Sequence, residues 1–351
     1  LQITPIVNSN PLNQPNSKGR TETPMAFIRS IVKAYKRYGR DPTTALAKAQ
    51  ITPSELKNPQ AKVSALQMEW MSEAAMRELD DEALGWFERR LPWGSYGMLA
   101  RASLSTPTLG LALSRWCRHH GLLTDTVALH LSERDGVATL QVDERRRLGD
   151  FQEFAVVSLL RNALGVAAWL TDSRIPLRQI TLALSPPPHA NSYRVLFDGP
   201  TQFNAEHHSL SFDAGYLALP VRRDEAALQR MLQRALLLTV RPYRRDRLLV
   251  DSVRQALRDT PALGRNADEL AARMNLSTRT LHRQLKEEGA SLQAIKDGVR
   301  REQATHALQR TQKAIKHIAA EVGFQNEKSF MRAFKAWTGQ TPQAYRQGLS
   351  S

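Results

Sequence analysis

NADELAARMNLSTRTLHRQLKEEG (Asn266–Gly289) and TQKAIKHIAAEVGFQNEKSFMRAFKAWTG (Thr311–Gly339) are two versions of one pattern: a short amphipathic helix, a tight turn, and a longer helix with one apolar and one polar face. In the first, Asn266 caps the opening helix with Glu269 three positions on, the capping-box spacing. Leu270 and Ala271 face inward, and the small Ala271 lets the second helix cross closely. Asn275 and Leu276 make the turn, Ser277 caps the second helix, and Leu281 and Leu285 lie one turn apart on its buried side. Thr278, Arg279, His282, Arg283 and Lys286 remain on the open side, placed to reach phosphates and base edges.

The second copy keeps the layout with other side chains. Ile315, Ile318, Ala319 and Val322 form the buried stripe, Gly323 sits where a left-handed C-terminal residue is wanted, and Phe324 fills the turn. Asn326 caps the next helix, which buries Phe330, Phe334 and Trp337 while Glu327, Lys328, Met331, Arg332 and Lys335 point outward. Gly339 ends it, and Thr341-Pro342 has the chemistry to start a closing helix through Tyr345. Between the copies, Ser291 to Arg310 reads as one helix with a Ser N-cap, a rod of about 28 Å at roughly 1.5 Å per residue. Such a rod sets two recognition helices about one DNA turn, roughly 34 Å, apart on one face of a duplex. The pattern therefore predicts an all-α C-terminal domain of two helix-turn-helix motifs joined by a linker helix, binding double-stranded promoter DNA.

The stretch Ile315–Arg346 resembles, nearly position by position, the signature of the AraC/XylS transcription regulators, in which I-A-x-x-x-G-F precedes S-F-x-R-x-F-K and a T-P-x-x-Y-R close. The resemblance implies DNA contact by Arg279, His282 and Arg283 in the first recognition helix and by Glu327, Lys328, Met331 and Arg332 in the second. Glu327 is an acceptor that suits cytosine N4 and repels phosphate. STPTLGLALSRWCRHHGLL (Ser105–Leu123) and FDAGYLALPV (Phe212–Val221) are similar to the amino-terminal sensor half of a branch of that family, sometimes labelled arabinose-binding by analogy.

Composition agrees. The 351 residues carry 49 Lys and Arg against 34 Asp and Glu, a net charge of +15, and Arg241–Ser351 holds 21 basic and 11 acidic residues. The charge is concentrated where the motifs are, which favours phosphate contact and salt-dependent affinity. A single cysteine excludes an intrachain disulfide framework and suits a cytoplasmic setting. No run of 18 apolar residues is present, so no membrane span is expected.

Residues 1–23, polar and rich in Pro and Asn, read as a flexible extension, and 24–225 as an α+β effector-sensing domain. Its first hundred residues are helical: Phe27, Ile31, Ala34 and Tyr35 make one stripe, Thr43–Ala49 and Pro53–Leu56 are short helices, and Val63–Leu79 and Leu109–Leu123 longer ones. Leu91–Gly110, rich in Gly, Ser and Thr, reads as loops around one helix. Val127–Ser132 and Val137–Val142 alternate about Arg134-Asp135-Gly136 as a hairpin, and Phe151–Leu170 is a long apolar helix. Gln179–Leu184, Tyr193–Phe197 and Ser209–Ala214 are predicted strands. Residues 226–247 hold a helix and the linker to a DNA-binding domain over 248–351. Over Asp224–Val240, Leu228, Met231, Leu232, Ala235 and Leu236 form an apolar face that either packs on its own domain or provides a homodimer interface; Pro242 ends the helix.

For the effector, Trp93, Tyr96, Arg101, Trp116 and His120 combine aromatic surface with polar handles, as an amino acid or small anionic metabolite requires. Cys117, His119 and His120 invite a second reading, a redox- or metal-responsive regulator, because neighbouring Arg and His lower a thiol pKa and Cys117 and His120 share a helix face. A third is a ligand-independent architectural protein that binds DNA through charge alone. No Gly-rich phosphate loop, H-E-x-x-H, C-x-x-C or G-x-S-x-G occurs, so neither catalysis nor a cofactor or metal is expected. The reading carried forward is an effector-controlled transcription activator that engages RNA polymerase at a promoter.

Overall fold

The computed structural model describes residues 23–233 and 247–347. The rest of the expected extension, and Ala235, Leu236 and Pro242, lie outside the described residues.

The chain opens with a two-stranded antiparallel ladder, β1 (Thr23–Pro24) against β2 (Lys62–Val63). Around it pack α1 (Met25–Arg37), α2 (Thr43–Lys48), α3 (Pro53–Lys57) and α4 (Ala65–Leu79). Capping boxes start two of them, Thr52 with Glu55 at α3 and Ser64 with Gln67 at α4. Helix α1 buries the predicted stripe of Phe27, Ile31, Ala34 and Tyr35. Next come α5 (Ser95–Leu104), the one helix of the Gly- and Ser-rich stretch, and α6 (Leu109–Leu123), capped by Thr108.

Then the period changes to two. Strands β3 (Val127–Arg134) and β4 (Val137–Glu144) pair antiparallel with Arg134 opposite Val137, and the turn residues Asp135 and Gly136 both take positive φ, as a tight hairpin requires. With β5 (Leu177–Thr181), β6 (Thr201–Gln202) and β7 (His208–Asp213) they form a sheet in the order β3-β4-β7-β5-β6, antiparallel except for β5 beside β6. Ala138, Leu140, Val142, Leu210 and Phe212 line its buried face, against which α7 (Gln152–Thr171) packs. By length and composition α7 resembles a membrane span, yet 78% of that apolar window is buried inside the domain, so it is a core helix.

Tyr193–Phe197 is a helix, α8, and not the predicted strand. Tyr193 and Phe197, four residues apart, are both buried, and the Tyr193 hydroxyl donates to Glu153 of α7 at 2.7 Å. One helical turn presents both rings to the same neighbour, whereas a strand of five residues without a pairing partner does not. The domain ends with α9 (Glu225–Leu232), whose Leu228 is fully buried in this same core; the described part of that helix therefore packs on its own domain.

The C-terminal half comprises α10 (Leu248–Asp259), α11 (Ala267–Arg273), α12 (Thr278–Glu287), α13 (Leu292–Arg310), α14 (Ile315–Glu321), α15 (Glu327–Thr338) and α16 (Pro342–Gln347). It contains two separate cores. Leu270, Ala271, Leu281 and Leu285 pack with Val253 and Leu257 of α10 and with Leu292, Ile295 and Val299 from the first half of α13. Ile318, Ala319, Val322, Phe330 and Phe334 pack with Ala304 and Leu308 from its second half. The expected linker helix is thus a wall of both motifs.

The two turns close identically. Leu276 N–H donates to Ala271 O and Asn275 N–H to Ala272 O; Phe324 N–H donates to Ala319 O and Gly323 N–H to Ala320 O. This is the Schellman arrangement, with Asn275 (φ 56°) and Gly323 (φ 85°) as the left-handed residues. Gly323 is further confined, because a Cβ there would lie 3.2 Å from Pro261 O. Arg300 of α13 covers the same turn, its guanidinium 4.8 Å from the Phe324 ring centre.

The halves meet at an electrostatic junction. Asp172, the left-handed C-cap of α7, accepts from Arg223 and from Arg247, each at 2.6 Å, and Arg222 donates to Asp251 of α10 at 2.5 Å.

Gly323→Ala should lower stability by about 1–2 kcal/mol from the left-handed backbone alone, with a further penalty from Pro261 O. Thermal unfolding of the full chain measures it; a melting point unchanged from wild type would show that the turn relaxes freely.

Candidate DNA interface and effector cavity

Helices α12 and α15 present matching faces. Arg279, His282, Arg283 and Lys286 are exposed at the spacing i, i+3, i+4, i+7, and Lys328, Met331, Arg332 and Lys335 repeat it 49 residues later. Three of the four positions are cationic in both helices, while the remaining one is His282 in the first and Met331, 39% exposed, in the second. Thr278 is half-buried and bonds Asp268 of α11, so it braces the start of α12. Glu327 is the first residue of α15, beside the Asn326 cap, where a helix favours negative charge. Arg283 forms an exposed ion pair with Glu287 at 3.4 Å, an interaction weak in water and easily exchanged for another anion or a base edge.

The second site is a cavity of about 310 Å³ in the N-terminal domain, within the usual range for small-molecule sites. Trp93, Tyr96, Arg101 and Trp116 line it. His120 does not: it is fully buried behind Tyr96, whose hydroxyl lies 3.3 Å from its Nε2. Arg101 points its guanidinium at Glu225 of α9 in a two-pronged pair, 2.7 Å at its shortest.

Sequence reasoning missed what shapes this cavity. Asp80, Asp81 and Glu82 fold the loop after α4: Asp80 accepts from Trp93 N–H, buried Asp81 accepts from the backbone N–H groups of Ala83, Gly85 and Leu91, and Glu82 accepts from those of Gly94 and Tyr96. Burial raises the Glu82 pKa and its backbone bonds lower it, the first effect being the larger. Also missed were Ser158, Arg161 and Asn162 of α7, which line the cavity. Their signal was legible, since polar residues spaced i, i+3, i+4 interrupt an otherwise apolar helix on one face.

Cys117 is buried and its thiol is pushed up to about 12 by desolvation. That is opposite to the direction a redox-responsive thiol requires, and the neighbouring Arg and His do not offset it. Among the described residues no group of three or more His, Cys, Asp or Glu is placed to hold a metal ion.

Residues 39–221 match the family described as the arabinose-binding domain of AraC transcription regulators, and residues 270–348 match a helix-turn-helix domain family. The chain belongs to the AraC family of transcription regulators. This AraC-family chain is 28% identical over 340 residues to the ornithine utilization regulator of Pseudomonas aeruginosa, covering 96% of itself and 99% of that protein. It is 37% identical over 82 residues, 23% of itself and 30% of the relative, to the HTH-type transcriptional activator RhaS of Escherichia fergusonii. The crystal structure of the transcriptional regulator CdpR from Pseudomonas aeruginosa aligns over 92% of this chain and 98% of that one at 20% identity, with a TM-score of 0.31. Its relatives are transcription regulators and not enzymes.

Burial moves the His120 pKa down from 6.5 to about 4. The unfolded chain therefore binds the extra proton between these values, so the stability held by neutral His120 is complete above pH 6.5 and is lost as pH falls toward 4. His120→Gln removes this contribution. Urea midpoints of the two proteins should converge as pH drops through that window; a constant gap would show that His120 does not titrate there.

Proposed function

We propose that this AraC-family regulator lays α12 and α15 in successive major-groove faces of promoter DNA, and that a small molecule in the N-terminal cavity sets how firmly it does so. The observation that carries this reading is the 49-residue repeat of exposed cationic faces on two helices whose cores share α13. The three cations common to both faces supply phosphate attraction and, through the arginines, bidentate guanine contacts. His282 and Met331, the position where the faces differ, give the two half-sites different base preferences: a ring nitrogen reads a polar edge, and a thioether packs on an apolar one such as a thymine methyl.

The effector acts by favouring one arrangement of the two halves across the Asp172 junction. Activation through RNA polymerase is supported by the relative that carries the word activator in its name. Metabolite sensing is supported by the near full-length relative named for ornithine utilization. Two protomers occupy adjacent half-sites in the cytoplasm, the compartment of promoter DNA.

Footprinting should show a discrete protected block of about two helical turns, as expected of two reading heads on each protomer of a pair. Arg283→Ala should weaken the specific site by about 1–3 kcal/mol, and Lys286→Ala should weaken all sequences alike while lowering the salt slope by about one. Equal affinity for promoter and random DNA at every salt concentration would instead identify a charge-driven architectural protein.

A further inference from the structure

The cavity wall carries four charged side chains, Glu69, Glu82, Arg101 and Arg161, and each is already engaged. Glu82 is 8% exposed, and its two oxygens accept from Gly94 and Tyr96 N–H at 2.7 and 2.8 Å. Arg101 holds Glu225 in the two-pronged pair described above. Arg161 donates to Leu196 O and makes a further interaction besides. Glu69, 5% exposed, is likewise held in an interaction of its own. What the wall leaves open is neutral. Thr23, Ser72, Ser158 and Asn162 line the same space, and among the described residues none of these side chains meets a hydrogen-bond partner. Ser158 and Asn162 lie four apart on α7, one turn of one face, and Ser72 comes from α4. Around them the wall is apolar, with Phe27, Trp86, Trp116, Met68 and Met231 prominent. An ion entering such a space gives up its hydration and meets a countercharge only by breaking a pair the protein already has. A hydroxyl or carbonyl gives up far less and exchanges water for one of the open neutral groups.

We propose, resting on the reading that this cavity is the effector site, that it selects an uncharged molecule: an aliphatic or aromatic body carrying one neutral hydrogen-bonding head, such as a hydroxyl or carbonyl. The head is held among Ser72, Ser158 and Asn162, and the body lies against the tryptophan and methionine side chains. A molecule with both an ammonium and a carboxylate group is disfavoured twice. The ligand class therefore differs from the amino acid or anionic metabolite expected from sequence and from the ligand suggested by the relative's name.

The test uses the full-length protein and the fluorescence of the wall tryptophans, with thermal shift as a second readout. Octan-1-ol and 3-phenylpropan-1-ol, which share the hydroxyl and differ in body, should quench saturably and raise the melting point. At pH 8, octanoate, octylamine and L-ornithine should bind more weakly by about tenfold or more. Octanoate should gain about tenfold in apparent affinity between pH 8 and pH 7, because the share of it present as the neutral acid rises in the same proportion. Ser158→Ala and Asn162→Leu should each weaken octan-1-ol by about three- to tenfold, the weight of one neutral hydrogen bond, while Arg101→Gln leaves it unchanged. Should Asn162→Leu fail to fold, the smaller change Ser158→Ala tests the same turn. Three results overturn the proposal: no saturable binding of either alcohol, an ion binding more tightly than the alcohols at pH 8, or octan-1-ol indifferent to the Ser158 and Asn162 substitutions. A preference for octanoate that Arg101→Gln abolishes also overturns it, by showing that an anion opens the Arg101 pair. Saturable octan-1-ol binding with unchanged operator affinity supports the ligand class and overturns the effector reading beneath it, so the two failures are distinguishable.

Discussion

The structure depends most on helix α7, a single element held to three duties by its own geometry. Its apolar faces complete the core between the sheet and the N-terminal helices, where Phe154 lies 5.2 Å from the Phe27 ring and 5.3 Å from that of Trp86. Its one polar stripe faces the cavity. Its C-cap Asp172 takes the left-handed conformation and holds Arg223 and Arg247, which flank the connection to the C-terminal half. A helix packed this closely moves as a rod, because interiors at native density have few voids to absorb a local bend. The stripe and the junction therefore lie on one stiff element.

Helix α13 plays the corresponding part in the other half. Because Leu292, Ile295 and Val299 belong to one core and Ala304 and Leu308 to the next, the two motifs cannot rotate independently without opening one of them. The cost is that of exposing buried leucine, isoleucine and valine, roughly 1.5–3 kcal/mol for each such side chain. Arg300 strengthens the coupling from the middle of the rod by donating to Gly323 O across the turn of the second motif.

The C-terminal half was legible in the sequence because its determinants are local: caps at Asn266, Ser277, Ser291 and Asn326, apolar spacing, and left-handed residues at the turns. What escaped there is a long-range interaction, Glu288 accepting from Leu249 and Val250 N–H to cap α10 from outside its own segment. In the N-terminal half the hairpin and the long helix were equally local. Tyr193–Phe197 was misread because five residues with apolar ends suit a strand or one helical turn, and only Glu153 and the α7 surface decide between them. The cavity was partly legible for a similar reason. Aromatic residues suggested Trp93, Tyr96 and Trp116, but the wall is assembled from α1, α4, α5, α6, α7, α8 and α9, and no periodicity reports which side chains from separate helices converge.

The cavity's position gives its contents leverage. Met231 and Leu232, at the end of α9, form part of the wall, and a Cβ on Gly97 of α5 would lie 3.0 Å from Leu232 Cδ2, so α5 and α9 are already at contact distance. The pair joining them, Arg101 with Glu225, is about half exposed on both sides and contributes little in water. Helix α9 is therefore seated mainly by Leu228 and by the side chains that meet the cavity. A molecule that fills the space adds apolar contact to this seat, and one that overfills it acts against Leu232, which stands two residues before the undescribed connection. For an equilibrium between two placements of α9, a ligand shifts the ratio only by its difference in affinity for them, and a tenfold change would require about 1.4 kcal/mol, the burial of roughly two methylene groups. That quantity is small beside the apolar surface the cavity wall offers.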